Sequence, residues 1–103
     1  ININEAEVTQ SYPYSFTNPL QKGDCSLDVY RLQNTLNYIR GSYPGIPVIQ
    51  NPSGLFDNST EQAVKTFQKV FNLSQTGIVN YQTWYMISYI LIAVSKMTNS
   101  IYT

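Results

Sequence analysis

The sequence predicts an all-α fold, a compact three-helix bundle with long ordered loops. Three observations carry the prediction. Apolar residues recur at three-and-four spacing in three separate stretches, a helix-capping side chain (Ser26, Asp57, Asn80) stands before each, and the first two stretches repeat one pattern.

Residues 1–19 hold two acidic residues, no basic residue and two prolines, without a sustained period. They read as a linker or an N-terminal strap, with Tyr12, Tyr14 and Phe16 available as packing anchors, and the domain proper is expected over residues 20–103. The first helix follows Gly23: Ser26 caps it, Val29, Leu32, Leu36 and Ile39 form its inner face, and Gly41 is a plausible stop. The stretch from Gly41 to Phe56 carries three prolines and three glycines and cannot continue a helix. A loop of this length is functional or is held down by its own apolar residues, and Tyr43, Ile46, Val48 and Ile49 are expected to do the holding. Short strand pairing is possible near Val48 and Phe56 or Ile78 and Val79.

Asp57 heads the second helix, accepting from the backbone of Ser59 or Thr60, and Ala63, Val64, Phe67 and Phe71 make its apolar stripe. Glu61 and Lys65 lie one turn apart outside, in the favourable order. The third helix follows Asn80, with Trp84, Ile87, Leu91 and Val94 inward and Tyr85, Tyr89 and Ile92 on another side.

The repeat aligns Val29-x-x-Leu32-Gln33-x-x-Leu36-Asn37 with Val64-x-x-Phe67-Gln68-x-x-Phe71-Asn72. One amphipathic helix is thus used twice, with a glutamine at the edge of its buried stripe and an asparagine near its end. Asparagine tolerates the left-handed conformation that terminates helices, so Asn72 followed by Leu73 reads as a stop with a hydrophobic latch.

Composition narrows the function. Six basic against six acidic residues give no net charge and no general attraction to nucleic acid or an anionic membrane surface. With no histidine and one cysteine, Cys25, the chain lacks a Ser-His-Asp triad, a Cys-His pair, an internal disulfide and an ordinary zinc site, so neither a metal nor a cofactor is expected. Nine tyrosines, each an apolar face with a hydrogen-bonding tip, suit recognition better than chemistry. The most apolar stretch, Trp84 to Val94, falls short of the roughly 20 residues that cross a bilayer. Because the chain starts at Ile1 and shows no signal peptide, it is expected to be a processed product or a piece of a longer protein.

The ordered set Leu20, Gly23, Val29, Leu32-Gln33, Leu36, Gly54-Leu55-Phe56, Thr60, Ala63-Val64, Phe67-Gln68, Leu73, Gly77, Val79 and Thr83-Trp84 resembles the peptidoglycan-binding-like domains of bacterial and phage cell-wall hydrolases. The longer first loop, with Tyr43-Pro44 and Ile46-Pro47, looks like the clostridial-type subgroup. Ser26, Asp57 and Asn72 stand where the family pattern prefers glycine, and each either caps a helix or tolerates a positive φ. The resemblance implies a non-catalytic module, extracellular or associated with the cell wall, that holds an attached hydrolase or other exported protein against peptidoglycan. Such a polymer calls for aromatic faces, amide groups and a cation, and the chain supplies all three.

The expected contact surface joins the Phe56-Asp57-Asn58 turn, the start of the second helix and the Asn80-Tyr81-Gln82 turn, with Asp57, Asn58, Tyr81 and Gln82 as ligand-binding candidates. Asp57 is first a helix cap, and Tyr81 stands equally for packing and for contact. Gln33 and Gln68 are expected to bond loop backbone, Trp84 to sit in the core, and Arg31, Arg40, Lys65 and Lys69 to be ordinary solvated charges. Cys25 has no accompanying base and reads as a buried or incidental thiol. Asp24 and Asp28 have no apolar surroundings to raise an acid pKa, so glycoside cleavage by this chain is not expected. The alternative to wall binding is a docking or regulatory appendage, packed through Tyr85, Tyr89 and Ile92 on a neighbouring domain or a second copy, unless Tyr12, Tyr14 and Phe16 cover that stripe.

Overall fold

The first amides of a helix have no partner within it, and each of the three helices among the described residues is started by a side chain that supplies one. Ser26 Oγ accepts from Val29 N (3.2 Å) at the head of α1, Leu27–Arg40. Asp57 Oδ1 accepts from Thr60 N (3.0 Å) at the head of α2, Asn58–Val70. Asn80 Oδ1 accepts from Thr83 N (2.9 Å) at the head of α3, Tyr81–Tyr102. The computed structural model describes Phe16 and residues 18–102, with side chains as far as Met97. Tyr12, Tyr14 and most of the expected strap lie outside the described residues.

Every residue assigned to an inner face of α1 and α3 is buried, as are Ala63, Val64 and Phe67 of α2. Together with Leu20, Ile46, Ile49, Phe56 and Val79 from the connections they make one hydrophobic cluster, so the bundle has a single core. Phe71 departs from expectation. α2 ends at Val70, and Phe71 is a half-buried cap residue resting on Phe67, with ring centroids 4.6 Å apart. Asn72 then takes φ 59° and Leu73 N donates to Gln68 O (2.7 Å), the left-handed stop and six-residue closure expected of this pair. Gly41 ends α1 differently: it stays right-handed at φ −57°, and the chain leaves through Ser42 and Tyr43 amides that both reach Ile39 O.

The long loop is anchored by Ile46 and Ile49, which are buried, and by Tyr43, which sets its ring edge-on against Phe71 at 5.0 Å. Val48, also expected to hold it, is exposed, because its neighbours Ile46 and Ile49 take the inward positions. A polar clamp was not anticipated: Asn37 Nδ2 donates to Ile49 O and Asn37 Oδ1 accepts from Ile49 N, both at 2.8 Å. Asn37 therefore does not repeat the role of Asn72; three residues before the end of α1, it fastens the loop to the helix.

Strand-like pairing occurs, with different partners from those expected for Val48. Leu20 and Val79 exchange both backbone hydrogen bonds (3.1 and 2.8 Å). Gly23 N donates to Phe56 O (3.0 Å), Phe56 N to Asp24 O (2.8 Å) and Ser26 N to Gly54 O (3.0 Å). One stretch, Leu20 to Ser26, thus touches the approach to α3 and the approach to α2 before it enters α1. Among the described residues no helix is long and apolar enough to cross a membrane.

A candidate ligand surface at the helix heads

The turn before each helix has the same plan. A glycine with positive φ (Gly23 at 98°, Gly54 at 87°, Gly77 at 75°) is followed two residues later by a residue in backbone pairing or its neighbour, and three residues later by the cap. At Gly54 the plan tolerates nothing larger, since an added Cβ would lie 3.2 Å from Ser26 O in a conformation that L side chains rarely adopt.

The repeated glutamines brace the second and third of these turns. Gln33 Nε2 donates to Leu55 O and Thr60 Oγ1 while Oε1 accepts from Gly54 N, all at 2.9 Å. Gln68 Nε2 donates to Ile78 O (3.0 Å), Thr83 Oγ1 (3.1 Å) and Thr76 Oγ1 (3.3 Å), and its Oε1 accepts from Gly77 N (2.9 Å). Both side chains are fully buried and consumed by structure, as expected for a buried amide that must be satisfied. The sequence signal for this brace extends beyond the helices: Gly54-Leu55-Phe56-Asp57-x-x-Thr60 and Gly77-Ile78-Val79-Asn80-x-x-Thr83 are one motif, each following its own glutamine.

On this frame Asp57 is half-buried, while Asn58, Tyr81 and Gln82 are exposed. The head of α2 joins backbone at Gly23 and Asp24, and the approach to α3 joins it at Leu20, so three residue rises, at most about 10 Å, separate the two attachment points along the chain. Asp57 Oδ1 accepts three hydrogen bonds, from Thr60 N, from Ser59 Oγ (2.9 Å) and from Thr60 Oγ1 (2.9 Å). The Thr60 amide, helped by the two hydroxyls and opposed by partial desolvation, holds its carboxyl below the usual range. A depressed folded-state pKa contributes stability that is present above the unfolded pKa and is lost as pH falls through the folded one. Asp57→Ala is accordingly expected to cost about 1 kcal/mol at neutral pH. Asp57→Asn should keep the cap yet lose part of the stability decline below about pH 4, a comparison that urea titrations at pH 7 and in acid would check; acid limbs of equal steepness would refute the role.

Tyr81 meets Phe16 edge-on (centroids 5.8 Å, interplanar angle 86°) and lies nearly parallel to Tyr85 (6.5 Å, 26°). The head of α3 thus exposes an aromatic ring and the Gln82 amide, and the head of α2 the Asn58 amide beside the half-buried Asp57 carboxylate, group types that suit the hydroxyl and acetamido atoms of sugars and the amides of short peptides. The remaining sequence candidates fall elsewhere. Trp84 is buried in the core. Asp24 Oδ2 accepts from Gln21 N (2.9 Å) and closes a turn, Arg31 pairs with Asp28 at 3.9 Å, and Cys25 is exposed. Arg40 is half-buried, and its Nε is buried without a hydrogen-bond partner.

A family model described as "Putative peptidoglycan binding domain" matches residues 26–87, from the cap of α1 to the second turn of α3. That is well over half of the 103 residues, and the chain belongs to this family of peptidoglycan-binding domains. No curated protein and no solved structure gives a significant match.

Proposed function

We propose that the chain is a non-catalytic module that binds peptidoglycan through Asp57, Asn58, Tyr81 and Gln82 and brings an attached hydrolase or other exported protein to the bacterial cell wall. Family membership over residues 26–87 is the observation that carries this reading. The helix heads support it, since their braced turns present recognition groups on a frame that costs little ordering entropy on binding. With six basic and six acidic residues the module has no net charge, so its binding should depend weakly on salt.

The purified chain is expected to sediment with insoluble peptidoglycan sacculi, in high salt as in low. Tyr81→Ala and Gln82→Ala, both exposed positions, should each weaken the association, the double variant by about tenfold or ~1.4 kcal/mol. Protein left in the supernatant at every sacculus concentration would sink wall binding itself. Undiminished sedimentation of the double variant would instead move the contact surface elsewhere.

A further inference from the structure

α3 carries an exposed row that the core does not use. Tyr81, Tyr85 and Tyr89 are 62%, 56% and 61% exposed. Four-residue steps keep them within an arc of about 80° and about 6 Å apart along the axis. The rings of Tyr81 and Tyr85 lie 26° from parallel with centroids 6.5 Å apart, so their faces are turned the same way. Rings at equal steps along a helix suit a ligand that itself repeats along a line.

Charge says which such ligand. Residues 81–95 of α3 hold no acidic or basic side chain, and Lys96 is the first charge along the helix. α1 and α2 differ, with Asp28, Arg31 and Arg40 on the first and Glu61, Lys65 and Lys69 on the second. A peptide stem, with its carboxylates, calls for a lysine or arginine beside the rings. A strand of N-acetylated sugars calls for none. Its ring C–H groups, which carry partial positive charge, meet the electron-rich face of an aromatic ring, and its hydroxyls meet tyrosine hydroxyls. The row is also continuous with the contact surface proposed above: Tyr81 is its first ring, and exposed Gln82 adds an amide for an acetamido group.

We propose that Tyr81, Tyr85 and Tyr89 form a glycan-strand subsite, on which successive sugars of one strand lie along α3. The assignment rests on the wall-binding reading and says which part of the polymer the module grips. It adds Tyr85 and Tyr89 to the contact residues. A tyrosine has only two side-chain torsions to fix, so the row sacrifices little entropy when it is covered.

Two probes separate strand from stem: oligomers of N-acetylglucosamine, which are sugar without stem, and a free stem peptide, which has no sugar. Titrated into the full chain and followed by tyrosine fluorescence, a tetramer should bind about tenfold more tightly than a dimer, because it reaches more of the rings. The tetramer should also release the protein from sacculi, and the stem peptide should not. Tyr85→Ala combined with Tyr89→Ala is expected to weaken sedimentation with sacculi by about tenfold, whereas Tyr85→Phe with Tyr89→Phe keeps the rings and should retain it. Both positions are exposed, so the melting temperature should hold in each variant. The oligomer titrations need no variant at all. If the unaltered chain binds sacculi and the alanine pair binds equally well, or if the stem peptide displaces it and the tetramer does not, the subsite is overturned while wall binding stands. An unaltered chain that never sediments would sink wall binding and the subsite with it. Concentration-dependent dimers that the alanine pair abolishes would overturn the subsite in favour of a second copy on the row.

Discussion

Gln68→Leu is expected to destabilise the protein by about 3 kcal/mol, which for a domain of this size lowers the melting temperature by roughly 15 °C. Leucine nearly preserves the volume of this fully buried side chain, so the loss isolates its hydrogen bonds. The Gly77 amide, itself in a buried residue, and the Thr83 hydroxyl both lose their partner, whereas Ile78 O retains donors from Asn80 N and Thr76 Oγ1. An orphaned buried donor bears its full desolvation cost, and here the cost falls on the turn that leads into α3. Thermal and urea unfolding would measure it. A loss below about 1 kcal/mol would mean that water replaces the amide and that the brace is not required.

Phe67→Ala should cost about 4 kcal/mol, the expectation for truncating a fully buried aromatic ring in a close-packed core. The effect should also travel. Phe67 supports Phe71, and Phe71 supports Tyr43 of the long loop, with ring centroids 4.6 and 5.0 Å apart. Amide hydrogen exchange should therefore accelerate in the loop more than at the head of α2, where the Asp57 cap and the Gln33 brace remain. Uniform acceleration across the domain would show that the three rings do not act as a chain.

What could be read from the sequence was what is local. The helix starts depend on one side chain and the amide three residues on, so Ser26, Asp57 and Asn80 announced them. The inner faces depend on a 3.6-residue period, and Val29 through Ile39 and Trp84 through Val94 display it. The stop at Asn72 needed only a tolerance for positive φ. Nothing local says that Leu20 pairs with Val79 or Gly23 with Phe56, since those bonds join backbone groups that every residue carries. For the same reason Val48 was misplaced: in an irregular loop with buried residues at 46 and 49 no fixed period decides which of its apolar side chains turn inward. Asn37 was legible as an asparagine near the end of its helix, but its clamp on Ile49 depends on how the loop returns. Within the candidate surface the cap at Asp57 was readable. The two helix heads were expected to come together; what was not readable is that Leu20 to Ser26, from a distant part of the chain, joins backbone to the approaches of both.

The glutamine-to-glycine closure also bears on how such a domain varies. The same contact spans 21 residues from Gln33 to Gly54 and only 9 from Gln68 to Gly77, with equal lengths of 2.9 Å. The fastening is thus indifferent to how much polypeptide it encloses. Lengthening an enclosed loop costs little, growing only with the logarithm of its size. The stretch between Gly41 and Gly54 is therefore a natural acceptor for grafted sequence: a foreign peptide inserted beside exposed Val48 would change what the protein displays while the hydrophobic interior and all three helix starts stay as they are.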